Sequence, residues 1–292
     1  MPRYDLHCHS THSDGLLSPT AVVDRAAARG VHVLALTDHD EVSGLAEARA
    51  AADEAGITLI AGTELSVSWE GLTVHVVGLG IDPANPALAA GLHAIRAGRT
   101  LRARRIADAL AEAGIRGAYE GALKFVTSER LVSRTHFARF LVEAGHAREV
   151  KDVFNRFLVR GKPGYVAHAW ASLRDAVGWI DGAGGQAVLA HPGRYKLGRS
   201  GMRRLLAEFR DAGGQAIEVL SPSHTPAQVT ELAAHARVFG LLASGGSDYH
   251  GPGESWMDLG GLPPMPAGVT PVWQDWKSVR PPPARPGTFS DA

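Results

Sequence analysis

The sequence predicts an α/β fold: a distorted seven-stranded (β/α)7 barrel that carries a helical insertion. Apolar strand patterns alternate with helix patterns in the first 85 residues and again after residue 164, and they stop in between. His, Asp and Glu residues recur where strand patterns end, which is where α/β barrels carry their active sites. An open, doubly wound parallel sheet is the alternative architecture.

The first 85 residues contain four strand patterns and two helix patterns. The strand patterns are DLHCH at 5–9, VHVLALT at 31–37, ITLIAG at 57–62 and TVHVVGLG at 73–80. Ser18 is a suitable N-cap for a helix after the first strand, Pro19 suits its first turn, and Gly30 suits its end. A second helix is predicted near 43–55, closed by Gly56. Because strands and helices alternate, we expect the strands to be parallel.

Residues 86–164 are expected to form consecutive helices without strands. Apolar residues recur there at helical spacing, for example Ile106 with Leu110 and Phe137 with Leu141. Residues 96–162 include 15 Lys and Arg against 7 Asp and Glu, although the whole chain has 30 of each. The rest of the chain is therefore acidic. A basic insertion beside an acidic body suits an anionic substrate held over cations.

Strand and helix patterns resume after the insertion. Three strands are predicted, QAVLAH at 186–191, QAIEVL at 215–220 and GLLASG at 240–245, with helices near 201–212 and after Thr225 between them. Together with the four strands predicted before the insertion, these three give a total of seven. We assign residues 1–85 and 165–278 to the barrel and 86–164 to the insertion. Residues 279–292, rich in Pro and Arg, are expected to form a loose tail.

The amino-acid composition argues against both a membrane-embedded protein and a disordered one. Hydrophobic residues make up 45% of the chain and charged residues 21%, which is ordinary for a globular protein. No apolar run approaches the roughly 20 residues that cross a bilayer, and no signal peptide is apparent. We expect a cytoplasmic protein with no membrane association and no obligate protein partner. The single cysteine, Cys8, is interpreted as a small buried packing residue.

The strand ends supply many possible metal ligands. His7 and His9 are two apart on a strand, so both rings project to one face and can bind one ion. Glu64 can bridge two cations at the roughly 3.5–4 Å separation typical of paired metal sites. The candidates are His7, His9, Asp14, Asp38, His39, Glu64, His75, His191, Asp248 and His250. All are N or O donors, which favours Mn, Fe or Zn in a catalytic site.

The motifs HCH, TDHD, GTE, a strand histidine, HP and SDYH resemble those of the polymerase and histidinol phosphatase (PHP) superfamily of metal-dependent phosphoesterases. The resemblance runs from Tyr4 to about Pro264 and implies a hydrolase of phosphoric ester bonds that uses two or three divalent metals. Manganese is the expected ion, with Zn or Fe as alternatives. The resemblance also implies which residues hold each metal. One metal is expected on His7, His9, Glu64 and Asp248, a second on Glu64, His75 and His191, and a third on Asp14, His39 and His250. Glu64, His191 and Asp248 are also the candidate catalytic residues.

Within the superfamily, LVSRTHFARFLVEAG at 131–145 followed by VRGKPGYV at 159–166 is similar to the branch of 3',5'-nucleoside bisphosphate phosphatases that includes 5'-to-3' exoribonucleases. This similarity implies that Ser133, Arg134 and His136 contact a substrate phosphate. The role suits arginine because its planar fork binds phosphate oxygens in pairs. The alternative interpretation is that Arg134 is a solvated residue at the start of a helix.

The expected function is removal of the 3'-phosphate from nucleoside 3',5'-bisphosphates, giving a nucleoside 5'-monophosphate and phosphate. The same site is expected to act on short 5'-phosphorylated RNA as a 5'-to-3' exoribonuclease. One alternative is a histidinol-phosphate or other small phosphomonoesterase. Another is a non-catalytic module that binds metal or nucleic acid. A C–N hydrolase of the amidohydrolase type is disfavoured because no strand end offers a lysine to carry the carboxylate such sites use.

Overall fold

A computed structural model describes residues 2–276, so the tail predicted for 279–292 lies outside the described residues. The strands are β1 (Tyr4–Asp5), β2 (Val33–Leu36), β3 (Thr58–Trp69), β4 (Leu72–Leu79), β5 (Ala171–Ser172), β6 (Gln186–Leu189), β7 (Ala216–Leu220) and β8 (Leu242–Gly245). Seven of them form one sheet in the order β1-β2-β3-β4-β6-β7-β8, and β5 adds to β3. The predicted α/β barrel is confirmed as a mixed sheet.

The expectation of a parallel sheet is wrong at β4, which runs antiparallel to both β3 and β6. The chain returns from β3 through the two residues Glu70 and Gly71 instead of a crossover helix. Both have positive φ, 44° and 74°. Two consecutive left-handed residues form the hairpin turn whose twist matches that of the flanking strands.

The barrel closes where β8 meets the start of the chain. Leu6 N donates to Gly245 O at 3.1 Å, Asp248 N to His7 O at 2.8 Å and His9 N to Tyr249 O at 2.9 Å. Regular strand pairing at β1 is short, so the predicted strand at 5–9 is present mainly as these ladder bonds. They hold the His7 segment directly beside the loop that follows β8.

The helices are α1 (Pro19–Ala28), α2 (Leu45–Ala55), α3 (Pro86–Glu112), α4 (Ala118–Leu123), α5 (Arg134–Glu143), α6 (Val150–Val153), α7 (Leu173–Gly182), α8 (Arg199–Asp211) and α9 (Pro226–Phe239). Ser18 caps α1 by accepting a hydrogen bond from Ala21 N, as its sequence predicts. Across residues 2–276, no helix is both long and apolar enough to cross a membrane.

The β3–β4 hairpin is longer than predicted and has two unlike faces. Strand β3 continues past the predicted end at residue 62 to Trp69, so Glu64 lies within the strand and not at its end. Ser66 pairs with His75 on one face, while Leu65, Val67 and Val76 on the other face join the main apolar cluster. The alternation of a strand thereby turns Glu64, Ser66 and His75 to the same side of the hairpin.

Helices α3 to α6 lie between β4 and β5 and bury an apolar cluster of their own, which includes Ile106, Leu110, Phe137 and Leu141. Two arginines fasten this helical segment to the barrel. Arg99 of α3 donates from Nε to Asp40 Oδ2 at 2.7 Å. Arg139 of α5 donates to both carboxylate oxygens of Glu254 at 2.7 Å and to Asp14 O at 2.6 Å.

The Arg139–Glu254 pair gives a stability prediction. Arg139→Ala leaves the carboxylate of Glu254, 19% exposed, without its partner, and we expect the free energy of unfolding to fall by about 3 kcal/mol. Arg204→Ala is the matched control, because Arg204 makes the same two-point contact with Glu70 where both side chains are about half exposed. Its effect should be much smaller. Equal urea denaturation midpoints for the two variants would contradict the structural role of Arg139.

Candidate metal centre

The centre is built around the carboxylate of Glu64, which is fully buried in the middle of β3. Its Oε1 lies 2.8 Å from His75 Nδ1 and 3.0 Å from His191 Nε2. Its Oε2 lies 3.2 Å from His7 Nε2, 3.3 Å from His9 Nε2 and 2.9 Å from His39 Nδ1. Five imidazoles therefore surround a single carboxylate.

Two further carboxylates extend the cluster towards the opening. Asp248 Oδ1 lies 3.5 Å from His7 Nε2 and 3.3 Å from His9 Nε2. Asp14 Oδ1 lies 3.4 Å from His250 Nε2 and 3.8 Å from His39 Nε2. The structure thus brings together all nine residues that the resemblance implies as ligands, although they come from six separate segments of the chain.

These residues form four overlapping groups, each with donor atoms within 4.8 Å of one another: His9, Asp14, His39 and His250; His7, His9 and Asp248; His7, Glu64 and His191; His39, Glu64 and His75. These four groups share members with the three sets of metal ligands that the resemblance implies. Asp38 is not among them, because its carboxylate accepts hydrogen bonds from Ser10 N, Ser10 Oγ and Ser13 Oγ. Asp38 supports the loop that carries Asp14.

The donor set fits divalent cations. Four buried polar atoms of the cluster make no hydrogen bond within the described residues: Asp14 Oδ1, His39 Nδ1, Glu64 Oε2 and His191 Nδ1. His39 Nδ1 and Glu64 Oε2 are 2.9 Å apart but are not aligned for a hydrogen bond. Unpaired buried polar atoms are costly, and native structures compensate for them with a ligand, an ion or water. His7 Nε2 and His9 Nε2 also face each other at 3.1 Å. Cations bound within the donor groups would supply partners for such lone pairs.

Burial and the neighbouring charges shift the pKa values of the cluster residues in both directions. Burial alone would raise the pKa of Glu64, but the attraction of His39, His75 and His7 holds that pKa well below its usual range. Burial lowers the pKa of His9 to about 3 and that of His75 to about 4. At pH 7 the Glu64 carboxylate is ionised and the His9 and His75 imidazoles are neutral, the forms that coordinate metals. Burial opposes protonation of His7, His39 and His250, but neighbouring carboxylates raise the pKa of all three, that of His250 to about 9. A cation must therefore compete with protons for these three imidazoles.

Two members of the cluster have backbones in the left-handed region. The φ angle is 29° at His191 and 48° at Asp248. A non-glycine residue held there costs on the order of 1–3 kcal/mol, and such strain concentrates at active sites. His191 N donates to Glu218 Oε2 at 2.6 Å, and Asp248 N donates to His7 O. These bonds hold the two side chains towards Glu64.

Sequence reasoning missed Glu218, which is 1% exposed in β7. Its Oε1 lies 2.6 Å from His7 Nδ1, so its carboxylate holds one imidazole by the ring and the His191 segment by the backbone. A hydrogen bond of this kind fixes the ring orientation and the tautomer of a histidine ligand. The available signal was a lone acidic residue in the apolar strand QAIEVL.

The cluster opens into a cavity of about 130 Å³, which Ser133 and Arg134 help to line. Ser133 caps α5 and donates from Oγ to Asp14 Oδ2 at 3.1 Å. His136, predicted as a third phosphate contact, is instead fully buried behind the cap, with Nδ1 accepting from Ser133 N at 2.9 Å. The structure therefore brings two of the three predicted substrate residues to the cavity.

Four arginines line this cavity: Arg99, Arg102, Arg134 and Arg194. The guanidinium of Arg99 already donates hydrogen bonds to Asp40 and Ser66. Arg102 donates from Nε to Val166 O, and Arg134 lies over the ring of Phe154. Burial lowers the pKa of Arg102 to about 9, and the neighbouring Arg134 and Arg99 add to the shift. This wall therefore has positive charge that its own carboxylates do not balance.

A nearly closed α/β barrel with a cluster of nine His, Asp and Glu residues, centred on a buried carboxylate, defines a metal-dependent hydrolase. The chain belongs to the PHP domain family, whose model matches residues 5–220. The family predicted from the motifs is thereby confirmed.

Two relatives match almost the whole chain. A 3',5'-nucleoside bisphosphate phosphatase from Chromobacterium violaceum is 54% identical, over 94% of this chain and 96% of the relative. The 5'-3' exoribonuclease Rnm of Escherichia coli is 45% identical, over 94% of each. Both are enzymes that cleave phosphoester bonds, and the chain is a hydrolase of this kind.

Solved structures agree with the fold. An amidohydrolase from Chromobacterium violaceum with bound sulfate and no metal has a TM-score of 0.91 at 55% identity, over 93% of this chain and 95% of the other. A predicted metal-dependent phosphoesterase from Bifidobacterium adolescentis has a TM-score of 0.80 at 29% identity, over 94% of each chain. The described residues that line the cavity here include no lysine, the residue that carries the carboxylate in sites of the amidohydrolase type.

The contacts of Glu218 predict an effect on metal retention. Glu218→Gln keeps the shape but replaces one acceptor with an NH2 group, so it cannot accept from both His7 and His191 N. We expect roughly 10- to 100-fold weaker metal binding, measured as metal content after dialysis against graded chelator. Glu208→Gln, the same change at the exposed partner of Trp69 Nε1, is the control. Equal retention by the two variants would contradict a role for Glu218.

Proposed function

We propose that the protein removes the 3'-phosphate from nucleoside 3',5'-bisphosphates, giving a nucleoside 5'-monophosphate and phosphate. The observation that carries the proposal is the position of unbalanced arginine charge on the wall of the cavity that contains the His and carboxylate cluster. A substrate with two phosphates can place one at the cluster and the other at the arginines. The name of the relative from Chromobacterium violaceum, a 3',5'-nucleoside bisphosphate phosphatase, supports the same substrate.

The arginines of the insertion are suited to the phosphate that does not react. Arg134 makes no ion pair or side-chain hydrogen bond with any residue in 2–276, and its guanidinium stacks on Phe154 with 5.6 Å between Cζ and the ring centroid. Burial lowers the pKa of Arg134, and the charge of Arg99 lowers it further. A phosphate would relieve this repulsion and use the planar fork for paired hydrogen bonds. Ser133 adds a hydroxyl beside it.

We infer that the nine donors hold two or three divalent cations, with manganese the first ion to test. Such cations stabilise charge on the phosphoryl oxygens and lower the pKa of an attacking water. Around them, Glu64 and the histidines orient the site, while Asp248 is placed to accept the water proton. In the hydrolysis, a P–O bond to water forms, the bond from phosphorus to the 3' oxygen breaks, and the 3' oxygen takes a proton.

The same arrangement suits short 5'-phosphorylated RNA. With the 5'-phosphate against Arg134, the next phosphodiester along the strand occupies the position of the 3'-phosphate of a bisphosphate. Hydrolysis there releases a nucleoside 5'-monophosphate and exposes a new 5'-phosphate. This 5'-to-3' exoribonuclease activity and the phosphatase activity therefore require the same contacts.

The proposal predicts that Arg134→Ala lowers kcat/KM for adenosine 3',5'-bisphosphate by about 10- to 100-fold. A loss of this size corresponds to the free energy of one charge-assisted hydrogen bond. Activity on adenosine 3'-monophosphate, which has no 5'-phosphate, should change little. Both rates are measured as phosphate release by manganese-loaded protein.

Arg160→Ala is the control, because it removes an exposed positive charge from the same insertion. It should leave both rates near those of the unmodified protein. If the unmodified protein turns over the monoester as well as the bisphosphate, the protein is a general phosphomonoesterase. If Arg134→Ala lowers both rates equally, Arg134 does not bind the second phosphate.

A further inference from the structure

We propose that Arg194 binds the phosphoryl group that is hydrolysed, and so acts on a different phosphate from Arg134. This inference rests on the proposed function, because it assigns the two phosphates of the substrate to two separate groups of arginines. Sequence reasoning did not single out Arg194, which follows the predicted ligand His191 in the segment HPGR.

The backbone places Arg194 directly beside the cluster. Residues Pro192–Arg194 form a short 3-10 helix after His191, and Arg194 N donates to His191 O at 2.9 Å. The turn is anchored by α9 and the segment before it. Gly193 N donates to His224 Nε2 at 3.1 Å, and Gln228 Nε2 donates to Gly193 O at 2.8 Å.

Close packing leaves this turn little freedom to move. A Cβ on Gly193 would lie 2.6 Å from His224 Cδ2, closer than real Cβ contacts allow. The strained φ of His191 is held in addition by the bond from its N–H to Glu218. The base of the Arg194 side chain is therefore fixed relative to the cluster, which a residue acting on the reacting group requires.

The guanidinium of Arg194 contacts the cluster and still has N–H donors without a partner among the described residues. Its Nη1 donates to Asp248 Oδ2 at 2.9 Å, while Asp248 Oδ1 faces His7 and His9. The side chain of Arg194 is 50% exposed and lines the cavity. Arginine has five N–H donors, and Asp248 is the only partner that the described residues give this side chain. Most of its donors remain available to a ligand in the cavity.

The other cavity arginines differ in origin and in contacts. Arg99, Arg102 and Arg134 all come from the helical insertion, and the charges of Arg134 and Arg99 add to the burial that lowers the pKa of Arg102. The charge of Arg194 also adds to the burial that lowers the pKa of Arg134, so the two groups face the same cavity. None of the three makes an ion pair with a cluster residue, whereas Arg194 comes from the barrel and makes one. Geometry therefore separates an insertion group from a single arginine at the reacting centre.

An arginine at that position would stabilise charge on the oxygens of the transferring phosphoryl group, where charge is concentrated in the transition state. Arg194→Ala should lower kcat by roughly 100-fold, with little change in KM. The loss should be similar for adenosine 3',5'-bisphosphate and adenosine 3'-monophosphate, since both contain the reacting phosphate. Arg194→Lys should recover part of kcat, because a point charge replaces the planar fork.

Two controls isolate this role. Metal content of Arg194→Ala should equal that of the unmodified protein, which separates phosphate binding from support of Asp248. Lys196→Ala removes an exposed positive charge two residues away and should leave kcat unchanged. Added guanidinium ion should restore part of the activity of Arg194→Ala on the monoester.

The proposal is overturned if Arg194→Ala raises KM for the bisphosphate alone, since Arg194 would then bind the second phosphate. It is also overturned if kcat falls only in proportion to lost metal. The substrate preference of the unmodified protein is a separate result. If that preference is absent, the proposed function fails, while the effect of Arg194→Ala on the monoester still tests the role of Arg194.

Discussion

A buried carboxylate that contacts five imidazoles is the constraint on which the rest of the structure depends. Glu64 is fully buried, and the histidines around it come from β4, from the chain near β1 and from the loops after β2 and β6. A buried charge is tolerated when it is paired, so these segments must converge on one point. A barrel that closes between β1 and β8 achieves this, because it brings the first and last strands beside each other.

The surrounding contacts each hold one part of that convergence. Glu218 fixes the ring of His7 and the backbone of His191, while Asp38 organises the loop of Asp14. Arg139 ties the same loop to α5 and so sets the distance between the cluster and the insertion. The insertion then contributes positive charge that has no partner of its own. A molecule with two phosphates meets both requirements at once, because each phosphate faces a different group of cations.

The sequence predicted the parts of the molecule that local patterns encode. Alternating strands and helices indicated the barrel, the apolar stripes of residues 86–164 indicated the helices, and the motifs identified all nine residues that now lie together. The antiparallel β4 was missed because β3 was predicted to end at residue 62, although it runs to Trp69. The turn at Glu70 and Gly71 was therefore not recognised as a two-residue hairpin, which only antiparallel strands can use. Glu218, Arg194 and the burial of His136 depend on contacts between distant segments. For example, Glu218 and His7 are 211 residues apart, and no local pattern encodes that pairing.

The most direct test of this account is the metal content of Glu64→Gln beside that of His75→Ala and the unmodified protein, after loading with manganese and removal of free ion. Glu64 contacts five histidines and belongs to two of the four donor groups, while His75 belongs to one of them. The account predicts that Glu64→Gln loses more than one ion per chain and that His75→Ala loses fewer, with circular dichroism unchanged in both. A Glu64→Gln protein that retains every ion, or that loses no more than His75→Ala, would contradict the central place of this carboxylate.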